Sequence, residues 1–523
     1  MLNLSIILEE SAQRVAQKDA IIFGDNRISF SALNTAANQI ANGLRSLGIN
    51  KGDKVAISCP NLPYFPMVYY GILKTGAIVV PLNVLLKKDE VAYHLDNSDA
   101  KAYFCFEGTA ELPISKEGYA GFEKTPTCEH FIMMSAKAGS PSPIKGVSTL
   151  SELMKNQSPE FDTEMTNPDD TAVILYTSGT TGKPKGAELS HFNIFSNAQA
   201  SRDLLTMQND DISLITLPLF HSFGQVVQMN AAVLKGITSV LVPRFDPETV
   251  LNLLVRHRVS IFCGVPTMYW ALLNHPEADD YKDKLKETLR ICAAGGSSLP
   301  VQVLKDFENK FQTTILEGYG LSETSPVATF NFMDKIRKPG SVGLPLWGVS
   351  VKVVDENGKE TNTGQKGEIL IKGLNVMKGY YKRPEASAKA LDNGWLHTGD
   401  IGKMDEDGYL YIVDRVKDMI IRGGYNVYPR EVEETLMNHP AISMAAVIGI
   451  PHEKHGEEVK ACIVLKEGTN ASESEILEWV KAEMASHKYP RVIDIRKTLP
   501  MNATGKILKT KLREEVENTA HHS

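Results

Sequence analysis

Residues 176–186 read YTSGTTGKPKG: three glycines, three threonines, a serine and two lysines, directly behind the apolar run TAVILYT (171–177). So short an apolar run, bounded by turn-forming residues, predicts a buried strand. The loop behind it carries phosphate-binding chemistry. Gly179 and Gly182 let backbone N–H groups approach phosphate oxygens, the hydroxyls of Thr177, Ser178, Thr180 and Thr181 add donors, and Lys185 adds charge. A solvated connection would share this composition. The strand in front and the two lysines favour a phosphate loop. It is not the NTPase form, which requires G-x-x-x-x-G-K followed by Ser or Thr. Here Pro184 follows Gly182-Lys183, and Thr177 stands where the first glycine belongs. The segment therefore predicts a strand, a loop, then a helix opening near SHFNIFSNAQA (190–200).

The same alternation extends in both directions. Downstream, ISLITLPL (212–219), SVLVP (239–243), VSIFCGVP (259–266), LRICAAGG (289–296) and TTILEGYG (313–320) are apolar runs separated by helical patterns. With TAVILYT they predict six strands of one buried sheet, with ligands at the strand ends. Upstream, Leu33, Ala37, Ile40, Leu44 and Leu47 form one face of a helix over 31–47, with Ser31 as its N-cap and Gly48 as its stop. KVAISC (54–59), YFPMVYYGILKTG (64–76) and AIVVPL (77–82) continue the pattern. The fold class is α/β with largely parallel strands. Residues 107–168 are less regular, and SAKAGSPSPIKG (135–146) reads as a surface excursion. After Gly340 the texture turns to antiparallel strands with polar turns, as in VSVKVVDENGKE and GYLYIVDR. The last hundred or so residues have an α+β core of their own by domain-size standards. A boundary near Asp414 to Asp418 divides the chain into 1–414 and 415–523.

A chain of 523 residues exceeds one ordinary core. Its 42% hydrophobic and 23% charged content is that of a soluble globular protein, and a net charge of −7 argues against a nucleic-acid partner. The six cysteines show no CxxC or CxxH spacing, so free thiols in a reducing compartment are expected. The first twenty residues lack a basic start and a small-residue cleavage site, and no apolar window approaches a bilayer span. A cytoplasmic location is expected; peripheral contact with lipid stays open.

Six segments stand in the order and spacing of the acyl-adenylate-forming enzymes: YTSGTTGKPKG, LPLFHSFGQ (217–225), GYGLSETSP (318–326), GWLHTGD (394–400), DRVKDMIIRGGYNVYP (414–429) and NATGKIL (502–508). Over essentially its whole length the chain resembles this superfamily, which includes acyl-CoA synthetases, peptide-synthetase adenylation domains and luciferases. The wording is most similar to bacterial long-chain fatty acid CoA ligases. The resemblance implies a large N-terminal domain of α/β subdomains with a β-rich subdomain, and a small mobile C-terminal domain. It implies a two-step reaction using ATP, Mg2+ and coenzyme A: a carboxylate attacks the α-phosphate and releases pyrophosphate, then the CoA thiol displaces AMP.

What the resemblance implies for each site residue has a chemical reason. Glu323 and Thr180 match the magnesium ligands, a carboxylate suiting a hard cation. Gly295, Gly296 and Ser297 lie beside the base, with Glu317, Gly318, Tyr319 and Ser322 in the nucleotide site. Asp400 accepts from both ribose hydroxyls, which an ionised carboxylate can do at once, and Arg415 supports the ribose. Lys506 is the catalytic lysine, presented by Thr504-Gly505 to the charge that grows on oxygens shared with the leaving pyrophosphate. His221 is a pocket residue beside the acyl carboxylate rather than a general base, and Phe223, Val227, Gly264 and Gly320 belong to a hydrophobic acyl pocket. Lys417 matches the hinge, and Gly423 and Gly424 the segment lining the thiol tunnel.

The leading expectation is a medium- or long-chain fatty acid CoA ligase, monomeric or homodimeric. The alternatives are an aryl-acid (coumarate- or benzoate-like) CoA ligase or an adenylating enzyme serving a carrier protein; no carrier-sized segment follows residue 523. A luciferase-like oxidase shares the adenylation motifs. A silent nucleotide-binding regulator is disfavoured because Lys506, Glu323 and Asp400 are all present.

Overall fold

The computed structural model describes residues 1–177, 183–415, 417–452 and 455–520. Ser178, Gly179, Thr180, Thr181 and Gly182 of the glycine-rich loop lie outside the described residues. The strand Thr171–Thr177, buried except at its last two residues, sits in an eight-stranded sheet. It pairs in parallel with Ile78–Pro81 and antiparallel with Lys185–Ser190.

Two expectations are corrected here. The other five apolar runs, Ile212–Ile215, Thr238–Leu241, Ile261–Gly264, Ile291–Ala294 and Thr314–Gly320, form with Asp19–Phe23 the parallel part of a separate nine-stranded sheet. A strand buried on both faces reads as a continuous apolar run whichever sheet it joins, so pattern alone leaves its partner unspecified. Likewise, the chain does not pass from loop to helix. Thr177 pairs with Lys185 across an antiparallel ladder, and the helix His191–Leu204 opens only after that return strand. Its cap is Ser190, whose Oγ accepts from the Asn193 N–H at 3.0 Å.

The helix expected at 31–47 runs Phe30–Ser46, and its cap is Ser29 rather than Ser31: the Ala32 N–H donates to Ser29 Oγ at 3.1 Å. Leu33, Ala37, Ile40 and Leu44 are fully buried, as their spacing requires, and the helix packs on Tyr64–Lys74. Val349–Val354, Gly367–Gly373, Trp395–Met404 and Leu410–Arg415 form an antiparallel sheet, with the predicted turn at Asp355–Gly358. Beyond it, Ile420–Arg422, Tyr425–Val427, Ile442–His452, Gly456–Leu465 and Val492–Arg496 form a fourth sheet. A hydrophobic cluster drawn from Ile420 to Ile493 packs within it and with the helices Pro429–Met437 and Glu473–Glu483. All six cysteines are free and buried. Among the described residues, no helix is long and apolar enough to cross a membrane.

Candidate active site

A cavity of about 410 Å³ lies where the C-terminal ends of the parallel strands meet the residues after 415. Gly296 and Ser297, just beyond Ile291–Ala294, line one side together with Gly318, Tyr319 and Gly320 at the end of Thr314–Gly320. Gly505 and Lys506 line the other. Strand ends of this kind are where open α/β sheets place ligands. At Gly320 a β-carbon would stand 1.8 Å from the Pro326 carbonyl oxygen, so no other residue fits this edge of the wall.

Asp400 is 4% exposed. Its Oδ2 accepts from the Tyr319 hydroxyl at 2.6 Å, and the Arg415 Nε lies 3.2 Å from its Oδ1. Burial, then the Asp400 charge, raises the Tyr319 phenol, which keeps it a donor. An ionised carboxylate offers about four acceptor sites, so two remain for hydroxyl donors.

Lys506 sits on a turn organised by Asn502. The Asn502 Oδ1 accepts from the Thr504 and Lys506 N–H groups at 3.0 and 2.9 Å, and the Asn502 N–H donates to the Lys506 carbonyl at 2.9 Å. Gly505 adopts φ +79°, and its carbonyl accepts from the Thr267 hydroxyl at 3.0 Å, which ties the 502–506 turn to the helix Pro266–Leu273. Burial lowers the Lys506 ammonium to about 8; Arg415 pushes in the same direction, while Asp400 and Asp418 oppose.

His221 lies close enough to feel that charge. Burial, then Lys506, lowers it to about 4, so the ring is neutral at pH 7. The Phe223 N–H donates to its Nδ1 at 3.3 Å, leaving the proton on Nε2. The Phe223 ring fills the space that a side chain at Gly295 would need. Val227 is packed in the core and Gly264 abuts the rings of Phe262 and Tyr269; of the five expected acyl-pocket residues only Gly320 lines the cavity, and His221, Phe223, Val227 and Gly264 do not. Phe223–Asn230 is a π-helix, in which Gln225 and Gln228 are fully buried. Their amides donate to the Leu219 and Leu214 carbonyls at 3.1 and 2.9 Å, and among the described residues their Oε1 atoms have no partner. The π-helix thus carries buried amides beside its apolar side chains.

A second focus lies at the end of the Thr171–Thr177 strand. Glu323 and Ser322 share the short turn Ser322–Thr324. The Glu323 Oε1 accepts from the Thr177 hydroxyl at 3.3 Å and from the Tyr380 hydroxyl at 2.9 Å. The Lys185 Nζ stands 5.1 Å from the centre of the Tyr380 ring. Among the described residues no three His, Cys, Asp or Glu side chains gather to hold a metal alone. One carboxylate nonetheless suits magnesium, which usually takes one or two carboxylates plus phosphate oxygens and water. Thr180, the other expected ligand, lies outside the described residues.

Three other expected positions fall elsewhere. Glu317 is 4% exposed and turns its carboxyl to the backbone N–H groups of Leu299 and Gly340. Burial pushes it up to about 7 against the pull of Arg430. Gly423 and Gly424 turn the hairpin between Ile420–Arg422 and Tyr425–Val427 and do not line the cavity, because the 502–509 segment fills that side. Lys417 does line it, flanked by ion pairs: Arg513 to Asp418 at 2.8 Å and Lys509 to Glu433 at 2.7 Å. Sequence reasoning missed Tyr380, Thr267, Asn502 and Lys509. Only Asn502 carried a local signal, as an Asx-turn former two residues before a Thr-Gly pair.

Comparison with known proteins is consistent along the whole chain. Residues 8–381 match the model for AMP-binding enzymes, and residues 431–506 the model for the AMP-binding enzyme C-terminal domain. A long-chain-fatty-acid–CoA ligase of Bacillus subtilis (strain 168) is 37% identical, over 99% of this chain and 95% of that protein. The solved anthranilate CoA ligase AuaEII in complex with anthranoyl-AMP superposes with a TM-score of 0.92 at 30% identity, over 99% and 98% of the two chains. ATP-bound MatB from Rhodopseudomonas palustris does so with 0.87 at 33% identity, over 99% of each.

Proposed function

This chain belongs to the AMP-binding enzyme family, and from that premise we propose that it joins a fatty acid to coenzyme A through an acyl adenylate. It is an AMP-forming acid–CoA ligase that uses ATP, magnesium and coenzyme A. The observation that carries the assignment of roles is the placement of Lys506, from the segment after residue 415, in the same cavity as Asp400 and Arg415.

In the first step the acid's carboxylate oxygen bonds to the α-phosphorus of ATP and the bond to the β-phosphate oxygen breaks, releasing pyrophosphate. Asp400, steadied by Tyr319 and Arg415, holds the ribose hydroxyls. The neutral His221 offers Nε2–H to the acid's carboxylate and takes no proton. The Lys506 ammonium stabilises the charge that grows across the breaking bond. Thr177 and Lys185 border the loop that would hold the β- and γ-phosphates, and Glu323 would hold magnesium, which supplies charge neutralisation there. In the second step the CoA sulfur bonds to the acyl carbon and AMP leaves. Gly423 and Gly424 lie off the cavity in this arrangement, and the proposed turn about Lys417 would bring them to the thiol's path while withdrawing Lys506. The working units are then 1–414 and 415–523.

The fatty acid is supported by full-length similarity to the Bacillus ligase. An aryl acid is the second reading, favoured by the likeness to the solved anthranilate CoA ligase AuaEII. Pyrophosphate release across straight-chain and aromatic acids, with and without CoA, separates the two. The fatty acid reading requires the highest kcat/KM for a straight-chain acid; a preference for an aromatic acid overturns it.

A further inference from the structure

Glu323 is held on one side only. Both of its side-chain hydrogen bonds, from Thr177 at 3.3 Å and Tyr380 at 2.9 Å, land on Oε1, and among the described residues Oε2 accepts none. The Tyr380 contact spans 57 residues and comes from a different part of the fold. The two-residue strand Gly379–Tyr380 adds to the edge of the phosphate-loop sheet, pairing Gly379 with Glu188 and Tyr380 with Ala187. On either side, the Met377 N–H donates to the Glu323 carbonyl at 2.9 Å and the Tyr381 N–H to the Gly186 carbonyl at 2.8 Å. Residues 377–381 thereby grip both the backbone and the side chain of Glu323 while bonded to the strand that returns from the loop. The Tyr380 ring also faces the Lys185 ammonium at 5.1 Å, a cation–π distance.

We propose that Tyr380 is a positioning residue for magnesium binding: its hydroxyl fixes Glu323 through Oε1 and leaves Oε2 as the oxygen that would hold the cation, while its ring steadies Lys185 next to the glycine-rich loop. Groups that orient a metal-binding carboxylate are worth about 10–100-fold in metal affinity. The inference rests on Glu323 being the magnesium ligand.

The test measures, for the full-length protein by calorimetry, the ratio of the ATP Kd in EDTA to the ATP Kd in saturating magnesium chloride. The AMP Kd in EDTA serves as a metal-free control. Tyr380→Phe, which keeps the ring and loses only the hydroxyl, is expected to shrink the ratio about tenfold while leaving the AMP Kd unchanged. Glu323→Gln should bring the ratio close to one. An unchanged ratio in Tyr380→Phe with a collapsed ratio in Glu323→Gln overturns the role of Tyr380 alone. An unchanged ratio in Glu323→Gln overturns the ligand assignment beneath it. A parallel loss of AMP affinity in Tyr380→Phe shows a merely structural contact and also overturns the proposal.

Discussion

A lysine beside a guanidinium, away from bulk water, holds its proton less firmly than one on the surface. That condition at Lys506 makes the first half-reaction dependent on pH. Its folded value of about 8 lies below the ordinary lysine value, so the active ammonium is present below about pH 8 and lost above it. The kcat/KM for ATP in pyrophosphate release is therefore expected to fall about tenfold per pH unit above that point, since kcat/KM reports the free enzyme. In Lys506→Arg the charge persists, so this alkaline limb should vanish whatever the residual rate. An unaltered limb in that variant would assign the titration to another group. His221, neutral from about pH 4 upward, adds no inflection between pH 5 and 8.

Among the elements, the turn 502–506 carries the most specific geometry. Its Asn502 bonds shape it, and Gly505 closes it at a positive φ against Thr267. A β-carbon at Gly505 would meet the Thr267 Oγ1 at 3.0 Å and the Val265 Cγ2 at 3.1 Å. Gly505→Ala therefore pays a left-handed backbone cost of about 1–2 kcal/mol and crowds the docking contact; about a tenfold loss of adenylation rate is expected. Thiolysis of supplied acyl adenylate should be spared, and equal losses in both steps would show that the turn is needed beyond docking. This element was legible from Thr504, Gly505 and Lys506, which are adjacent in sequence, although the part played by Asn502 was missed. The strand in front of the glycine-rich loop was legible for the same reason, but its setting was not. The return strand Lys185–Ser190 and the splitting of six apolar runs between two sheets depend on which strand pairs with which. Tyr380 and Thr267 were invisible because they act across 57 and 238 residues of sequence, where no periodicity connects them to Glu323 or Gly505.

In the whole molecule, the proposed two-step reaction requires the segment after residue 415 to serve two arrangements. In the arrangement described, Lys506 lines the cavity and Gly423 and Gly424 do not. The chain turns at Arg415, whose carbonyl accepts from the Asp418 and Met419 N–H groups, while the Lys417 N–H makes no hydrogen bond among the described residues. Lys417→Pro thus removes no donor here and acts by restricting rotation. It should leave pyrophosphate release without CoA intact and depress acyl-CoA formation; unchanged overall turnover would argue against a hinge at this position. The separate α+β core after residue 415 was readable from the change of texture and the domain-sized length of the tail. The ion pairs Arg513 to Asp418 and Lys509 to Glu433 that brace it were not readable, being charged residues of ordinary surface type until the fold juxtaposes them.

Under the proposed function Lys506, reaching in from the far end of the chain, serves the first step and not the second. Lys506→Ala tests it in one protein assayed twice, by ATP–pyrophosphate exchange with a fatty acid and by CoA thiolysis of the synthetic acyl adenylate. The predicted result is a loss of about 10²–10³-fold in exchange with thiolysis retained. Full exchange in the variant, or equal loss of both activities, would contradict it.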